Sequence, residues 1–183
     1  MIRPVYIYGS PVLRKVAADI PSDYPELKQL INDLFETMQY SDGIGLAAPQ
    51  IGLSIRIFVI DASPLEDEHP EMKDFRKAFI NALIVKRSDD LVQYNEGCLS
   101  IPTLREDVER PESIVIKYVD ENFVPHEEEF HGLAARIIQH EYDHLEGILF
   151  TDKVPTLKRH MLKSKLTAIS KGKFNANYKY KIA

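Results

Sequence analysis

The sequence has one cysteine in 183 residues, so no disulfide can form within the chain. That suits a reducing compartment. No apolar run approaches the ~18 residues of a membrane span. The opening Met1-Ile2-Arg3-Pro4-Val5-Tyr6 has neither the apolar centre of a signal peptide nor the Arg/Ser-rich character of a transit peptide. No internal repeat or low-complexity segment occurs. These absences exclude a disulfide scaffold and a helical membrane protein. They predict a cytoplasmic protein, most simply a bacterial one. Acid is missing from one end: residues 153 to 183 hold 9 Lys/Arg and no Asp or Glu, against 14 and 28 in residues 1 to 152. The length suits one domain that buries roughly 70% of its unfolded surface.

What is present is concentrated in three stretches. Gln139-His140-Glu141-Tyr142-Asp143-His144 contains His-Glu-x-x-His. Positions four apart share a helix face, so His140 and His144 can reach one metal ion, and Glu141 can take a proton from water beside it. The preceding run from Gly132 lacks proline and is rich in helix formers, and Gly147 supplies a stop. Two surface histidines on an ordinary helix is the plainer account of such spacing. The intervening Glu and the apolar Leu133, Ile137 and Ile138 favour metal.

A third ligand must be found elsewhere. The extended zincin pattern would put His at position 150, which is Phe150, and no Glu follows Glu146. Asp152 and His160 are weak downstream candidates. Upstream, Cys98 lies in Glu96-Gly97-Cys98-Leu99-Ser100, a glycine- and serine-flanked turn rather than an apolar run. One Cys and two His form an accepted catalytic set with a position left for water. The third stretch, Gly43-Ile44-Gly45-Leu46-Ala47-Ala48-Pro49-Gln50, leaves backbone amides accessible to a peptide and offers the Gln50 amide to an oxygen gaining charge. Alone, that stretch reads as a tight helix-to-strand loop.

Together and in this order, the Gly-x-Gly loop at 43 to 50, the Glu-Gly-Cys-Leu-Ser turn at 96 to 100 and the Gln-His-Glu-x-Asp-His-Leu segment at 139 to 145 closely resemble the peptide deformylases. The resemblance extends from the N-terminus to about residue 165. It implies removal of the formyl group from N-formylmethionyl peptides and nascent chains, releasing formate. It also implies one divalent metal ion, foremost Fe²⁺, with Zn²⁺, Ni²⁺ or Co²⁺ able to substitute.

The expected roles follow. Cys98, His140 and His144 hold the metal. One thiolate and two neutral imidazoles leave a divalent ion with a net charge of about +1, which acidifies water less than three neutral ligands would. Glu141 as general base makes up the difference. The Gln50 side chain and the Leu99 NH face the oxyanion. Leu133, Arg136 and Ile137 lie seven, four and three residues before His140 and border its helix face. With Ile44 and Tyr94 they form the methionine pocket, the Arg136 stem walling it while its head reaches solvent. Gly45 pairs edge-on with the substrate backbone. Glu96 is expected to pair with Arg105 or Arg110, and Asp143 to orient a ligand or cap a segment. Two rivals remain: a peptidase cutting internal bonds, which needs a downstream ligand, and a structural zinc domain, which needs a fourth ligand from His126, His131 or His160.

The expected architecture is α+β: mixed, mostly antiparallel sheet packed around the metal helix, with a C-terminal helix. Apolar spacing predicts a helix over residues 25 to 39 and another carrying Leu157, Met161, Leu162, Leu166 and Ile169. Strands are predicted over residues 54 to 61, 78 to 85, 113 to 119 and 124 to 130, the last two joined by a turn in which Asn122 tolerates positive φ. Residues 62 to 77, with two prolines and eight charges, read as a solvated loop outside any site. Residues 1 to 170 form the single catalytic domain, and 171 to 183 a flexible basic tail. The tail and last helix, free of acid, offer contact with ribosomal RNA phosphate.

Overall fold

Strand Ile57–Asp61 (β3) is apolar at nearly every position because both of its faces are covered. Phe58 and Ile60 pack into one hydrophobic cluster, and Ile57 and Val59 into another. The first cluster includes Ala135, Ile138 and Tyr142 of the helix Gly132–Leu145 (α2). The second includes Leu30, Ile31, Leu34 and Met38 of the helix Leu27–Tyr40 (α1). The sheet therefore lies between two helices. The computed structural model describes residues 1–183.

That sheet is antiparallel throughout. Its order is Gly45–Ala47 (β2), β3, Arg76–Arg87 (β4), Ser113–Val119 (β7) and Pro125–His131 (β8). β2 is an edge strand, and it adjoins α2. Phe58 and Phe79 stack at 4.7 Å between centroids, a geometry worth about 1 kcal/mol beyond area burial. A separate antiparallel hairpin joins Leu91–Cys98 (β5) to Ile101–Pro111 (β6). It carries Cys98 at its tip, against the two-residue turn Leu99-Ser100. The helix Thr156–Ser170 (α3) lays Leu166 and Ile169 against Ile7, Ile101, Leu104 and Phe150. The class is α+β with mostly antiparallel sheet, as expected.

Several local expectations shift. The hairpin after β7 takes positive φ at Phe123 (59°), not at Asn122, because Asp120 Oδ1 accepts from the amides of Asn122 and Val124 and sets the turn. α1 runs one residue past its expected end, and Asp42, φ 55°, turns the chain out of it into the glycine loop. Gly147 does act as the stop of α2, with φ 68°; a Cβ there would lie 2.7 Å from the Arg14 carbonyl. On α3, Leu157 and Met161 face solvent despite their helical spacing.

The largest difference is at the C-terminus. Residues 171 to 183 were expected to form a flexible tail, but they dock. Tyr180–Lys181 (β9) pairs in parallel with Val5–Tyr6 (β1), held by bonds from the Val5 and Ile7 amides to the Lys179 and Lys181 carbonyls, each 2.9 Å. Phe174 packs against the core cluster of α3, and the Tyr180 ring sits 4.7 Å from it. Interleaved aromatics supply the burial that the basic composition concealed.

Candidate active site

α2 crosses beneath the sheet with most of its residues buried, polar ones included. Its one-turn spacing puts the rings of His140 and His144 5.3 Å apart on the side facing the β5–β6 hairpin tip. The Cys98 Sγ lies 3.4 Å from His144 Nε2, and one ligand atom from each of the three residues falls within 4.8 Å of the others. Neither Asp152, which pairs with Arg14, nor His126, which bonds Asp120, belongs to this group. His131 sits beside Glu112 and Glu129, and His160 is exposed on α3. The fourth protein ligand required by a closed structural site is thus missing from the group.

The ring of His140 is oriented from behind. Its Nδ1 donates to Glu96 Oε2 at 2.9 Å, which turns Nε2 toward Cys98 and His144. Glu96 itself is buried, and burial alone would protonate it. Arg110 opposes this with bonds of 2.6 and 2.9 Å, and His140 adds to it, so the carboxyl is held well below the usual range. Arg136 Nη1 adds a third partner at 2.8 Å. Arg110 also donates 2.6 Å to Asp143 Oδ2. Two buried carboxylates thus face two buried guanidiniums, with Lys153 3.5 Å from Asp143 at the network's edge.

This resolves the pairing expected of Glu96 in favour of Arg110; Arg105 instead bonds Asn95. It corrects Arg136. The head does not reach solvent but turns inward to Glu96 and the Val92 and Val108 carbonyls, and only 7% of the residue is exposed. With carbonyls and a carboxylate available, the guanidinium is better satisfied inside than out.

Burial acts oppositely on the other titrating groups. It pushes Glu141 up to about 7, and Glu141 Oε2 is buried without a hydrogen-bond partner. Burial, reinforced by His140, pushes His144 well below the ordinary imidazole value, so that ring is neutral and fit to bind a metal; its Nδ1 is likewise unpartnered. For His140 burial is again the largest influence, but bonds with Cys98 and Glu96 overcome it and raise the ring well above that value. A cation seated here would have to displace that proton. Three soft and borderline donors, an oriented imidazole and an unpartnered buried carboxylate fit a divalent transition metal.

β2 completes the site. A Cβ on Gly45 would come within 2.7 Å of Glu141 Cδ, so only glycine lets this strand pass the carboxylate. Gln50 Oε1 accepts from the Ala47 amide at 2.9 Å, which turns the NH₂ toward Ser100 Oγ, 3.2 Å, and Cys98 Sγ, 3.5 Å. In front lies an open cleft of about 660 Å³. The five residues expected in the methionine pocket, Ile44, Tyr94, Leu133, Arg136 and Ile137, line it, as does Gly45, expected to meet the substrate backbone. So do Leu99 and Cys98. Sequence reasoning missed Leu65, which brings the presumed solvated loop to the cleft edge, and Asn175, Ala176 and Tyr178 from the tail. No motif marks these four residues.

Fold and site together describe a group of three residues able to hold a metal, two from a helix and one from a hairpin tip, at the back of an open cleft. Comparison gives the class. The Polypeptide deformylase family model matches residues 2–160. The peptide deformylase of Christiangramia forsetii is 53% identical over 98% of this chain and 95% of its own, and that of Flavobacterium johnsoniae 51% over 100% and 97%. A crystal structure of a peptide deformylase from Legionella pneumophila superposes with a TM-score of 0.81 at 37% identity, covering 93% of this chain and 96% of that one. A Met-Ala-Ser-bound peptide deformylase structure from Acinetobacter baumannii gives 0.76 at 34%, over 84% and 99%.

The chain belongs to the polypeptide deformylase family, metal-dependent hydrolases that remove the formyl group from the N-terminal formylmethionine of new proteins. No helix is long and apolar enough to cross a membrane.

Proposed function

We propose that Cys98, His140 and His144 hold one Fe²⁺ ion, and that Glu141 is the proton carrier of deformylation. The observation that carries this reading is the convergence of three ligand atoms within 4.8 Å beside a buried carboxyl whose pKa lies at about 7. A general base works best when its pKa is near the working pH. When bound, the ion supplies Lewis acidity to water and to the formyl oxygen. Glu141 accepts the proton of the water that adds to the formyl carbon. Gln50, its NH₂ already turned inward, and the Leu99 amide donate to the oxygen that gains negative charge. Glu141 then delivers its proton to the departing amine, leaving formate and a free N-terminus.

Ile44, Leu133, Ile137 and Tyr94 receive the methionine side chain, and Arg136 braces Tyr94 from 5.8 Å. Gly45 lies on a free sheet edge, so the substrate backbone adds there as a strand. The Acinetobacter relative with bound Met-Ala-Ser supports such an occupant. Zn²⁺, Ni²⁺ or Co²⁺ substitutes for iron at the same ligands. The enzyme works in the cytoplasm on nascent chains. The acid-free face of α3, with Arg159, Lys163 and Lys165 beside exposed Leu157 and Met161, contacts ribosomal RNA phosphate.

The test is formate release from formyl-Met-Ala-Ser by protein reconstituted with Fe²⁺, Zn²⁺ or Ni²⁺. Turnover with all three, lost within hours in air for iron but not nickel, is expected, because a thiolate beside an oxidisable ion is open to oxygen. No formate with any ion, or equal survival of iron and nickel protein, overturns the respective part.

A further inference from the structure

The family match ends at residue 160, yet the chain beyond it returns to the cleft. Tyr178 Oη donates 2.7 Å to the carbonyl of Leu99, the first residue of the turn that follows Cys98. That turn is held at two further points: the Tyr8 amide donates 2.8 Å to the Ser100 carbonyl, and Gln50 bonds Ser100 Oγ. Tyr178 thus supplies the only one of these three bonds that fixes Leu99 itself. Its own position is set on both sides. Phe174 packs on the core cluster of α3 and against Tyr180, and β9 is pinned to β1. Between those anchors Asn175 and Ala176 form part of the cleft wall.

We propose that the C-terminal segment 174–181 is a working wall of the active site and that Tyr178 is a positioning residue. It pins the Leu99–Ser100 peptide, which limits rotation about the Leu99 backbone bonds and so keeps the adjoining Cys98–Leu99 peptide, which carries the Leu99 amide, facing the developing oxyanion. The proposal rests on the role given above to that amide. A donor that must be aimed in advance loses its value when the backbone beside it can rock. The effect therefore falls on kcat rather than on substrate binding. Removing the whole segment also opens the wall at Asn175–Ala176, so it raises KM as well.

The test compares the full-length enzyme, Tyr178→Phe and a chain ending at Lys173, all metal-loaded, on formyl-Met-Ala-Ser. Tyr178→Phe keeps the ring and removes one hydrogen bond. The expected result is a kcat about three- to tenfold lower, the worth of one such bond, with KM within about twofold and metal content unchanged. Amide hydrogen exchange over residues 98 to 101 speeds up in the same variant. The truncated chain loses at least as much kcat and raises KM. Unchanged kcat in Tyr178→Phe overturns the positioning role: with faster exchange the fault lies in the part given to Leu99, and with unchanged exchange it lies in the tail's hold on the turn. If the truncated chain folds and keeps its KM, the wall is overturned.

Discussion

α2 and α3 are nearly the same length, 14 and 15 residues, and both carry an apolar stripe at helical spacing. Eleven residues of α2 are buried, against two of α3. The difference is not hydrophobicity alone. α2 buries Arg136, Glu141 and Asp143, whereas α3 exposes Leu157 and Met161. A helix is buried by what surrounds it, and α2 has partners for its charges: Glu96 and Arg110 come from the β5–β6 hairpin. α3 touches the body along one edge and leaves its remaining surface to solvent. Charge can therefore mark the inside of this molecule and apolar side chains the outside.

The substitution with the largest effect removes the one buried charge on α2 that has no partner. Glu141→Ala should keep the metal and lower turnover by roughly 10²–10⁴-fold; activity within a few-fold of wild type removes Glu141 as the proton carrier. Cys98→Ala should instead lose metal on dialysis, since two ligands remain. Next comes stability. Arg136→Leu on α2 should cost about 3 kcal/mol or more in denaturant unfolding, because it strands two carbonyls and weakens a buried carboxylate's pairing. Met161→Gln on α3, which removes an apolar residue, should stay within about 0.5 kcal/mol. Equal effects would break the contrast between the helices.

A subtler test uses pH on the metal-free protein. Burial raises Glu141 from 4.5 to about 7, so folding stability from this group is present below pH 4.5 and lost as pH rises through 7. Glu96 has the opposite sign: its pKa is lowered, so its contribution is present above pH 4.5 and lost on acidification below that value. Glu141→Gln should flatten the alkaline-side loss alone; if the loss persists, another group causes it. The smallest expected effect belongs to α3. Lys163→Glu with Lys165→Glu should reduce ribosome co-sedimentation at low salt and shallow its salt dependence, with peptide turnover unchanged. An unaltered salt series would release α3 from that role.

The convergence of Cys98, His140 and His144 was legible because local geometry imposes it: one helical turn for the histidines and a glycine- and serine-flanked turn for the cysteine. That Leu133, Arg136 and Ile137 would border the same cleft was legible from the helix face they share with His140. The direction of the Arg136 head was not. It depends on carbonyls at Val92 and Val108, which reach it only through the hairpin's tertiary placement. Leu65 was hidden by its charged neighbours, and Tyr178 by a composition that reads as solvated chain. Contacts spanning most of the sequence leave no periodic trace in either partner. β3 hid its surroundings for another reason: with helices on both faces, it has no solvent side for a polar residue to mark.

The parallel pairing of β1 with β9 sets the order in which the molecule can be finished. Val5 and Tyr6 pair with Tyr180 and Lys181 across almost the whole sequence. This is the longest-range strand pairing in the molecule, and its loop-closure cost is offset only once the elements between the two strands are in place. Everything through α3 can assemble earlier, so the wall of the cleft is the last part of the fold to be pinned.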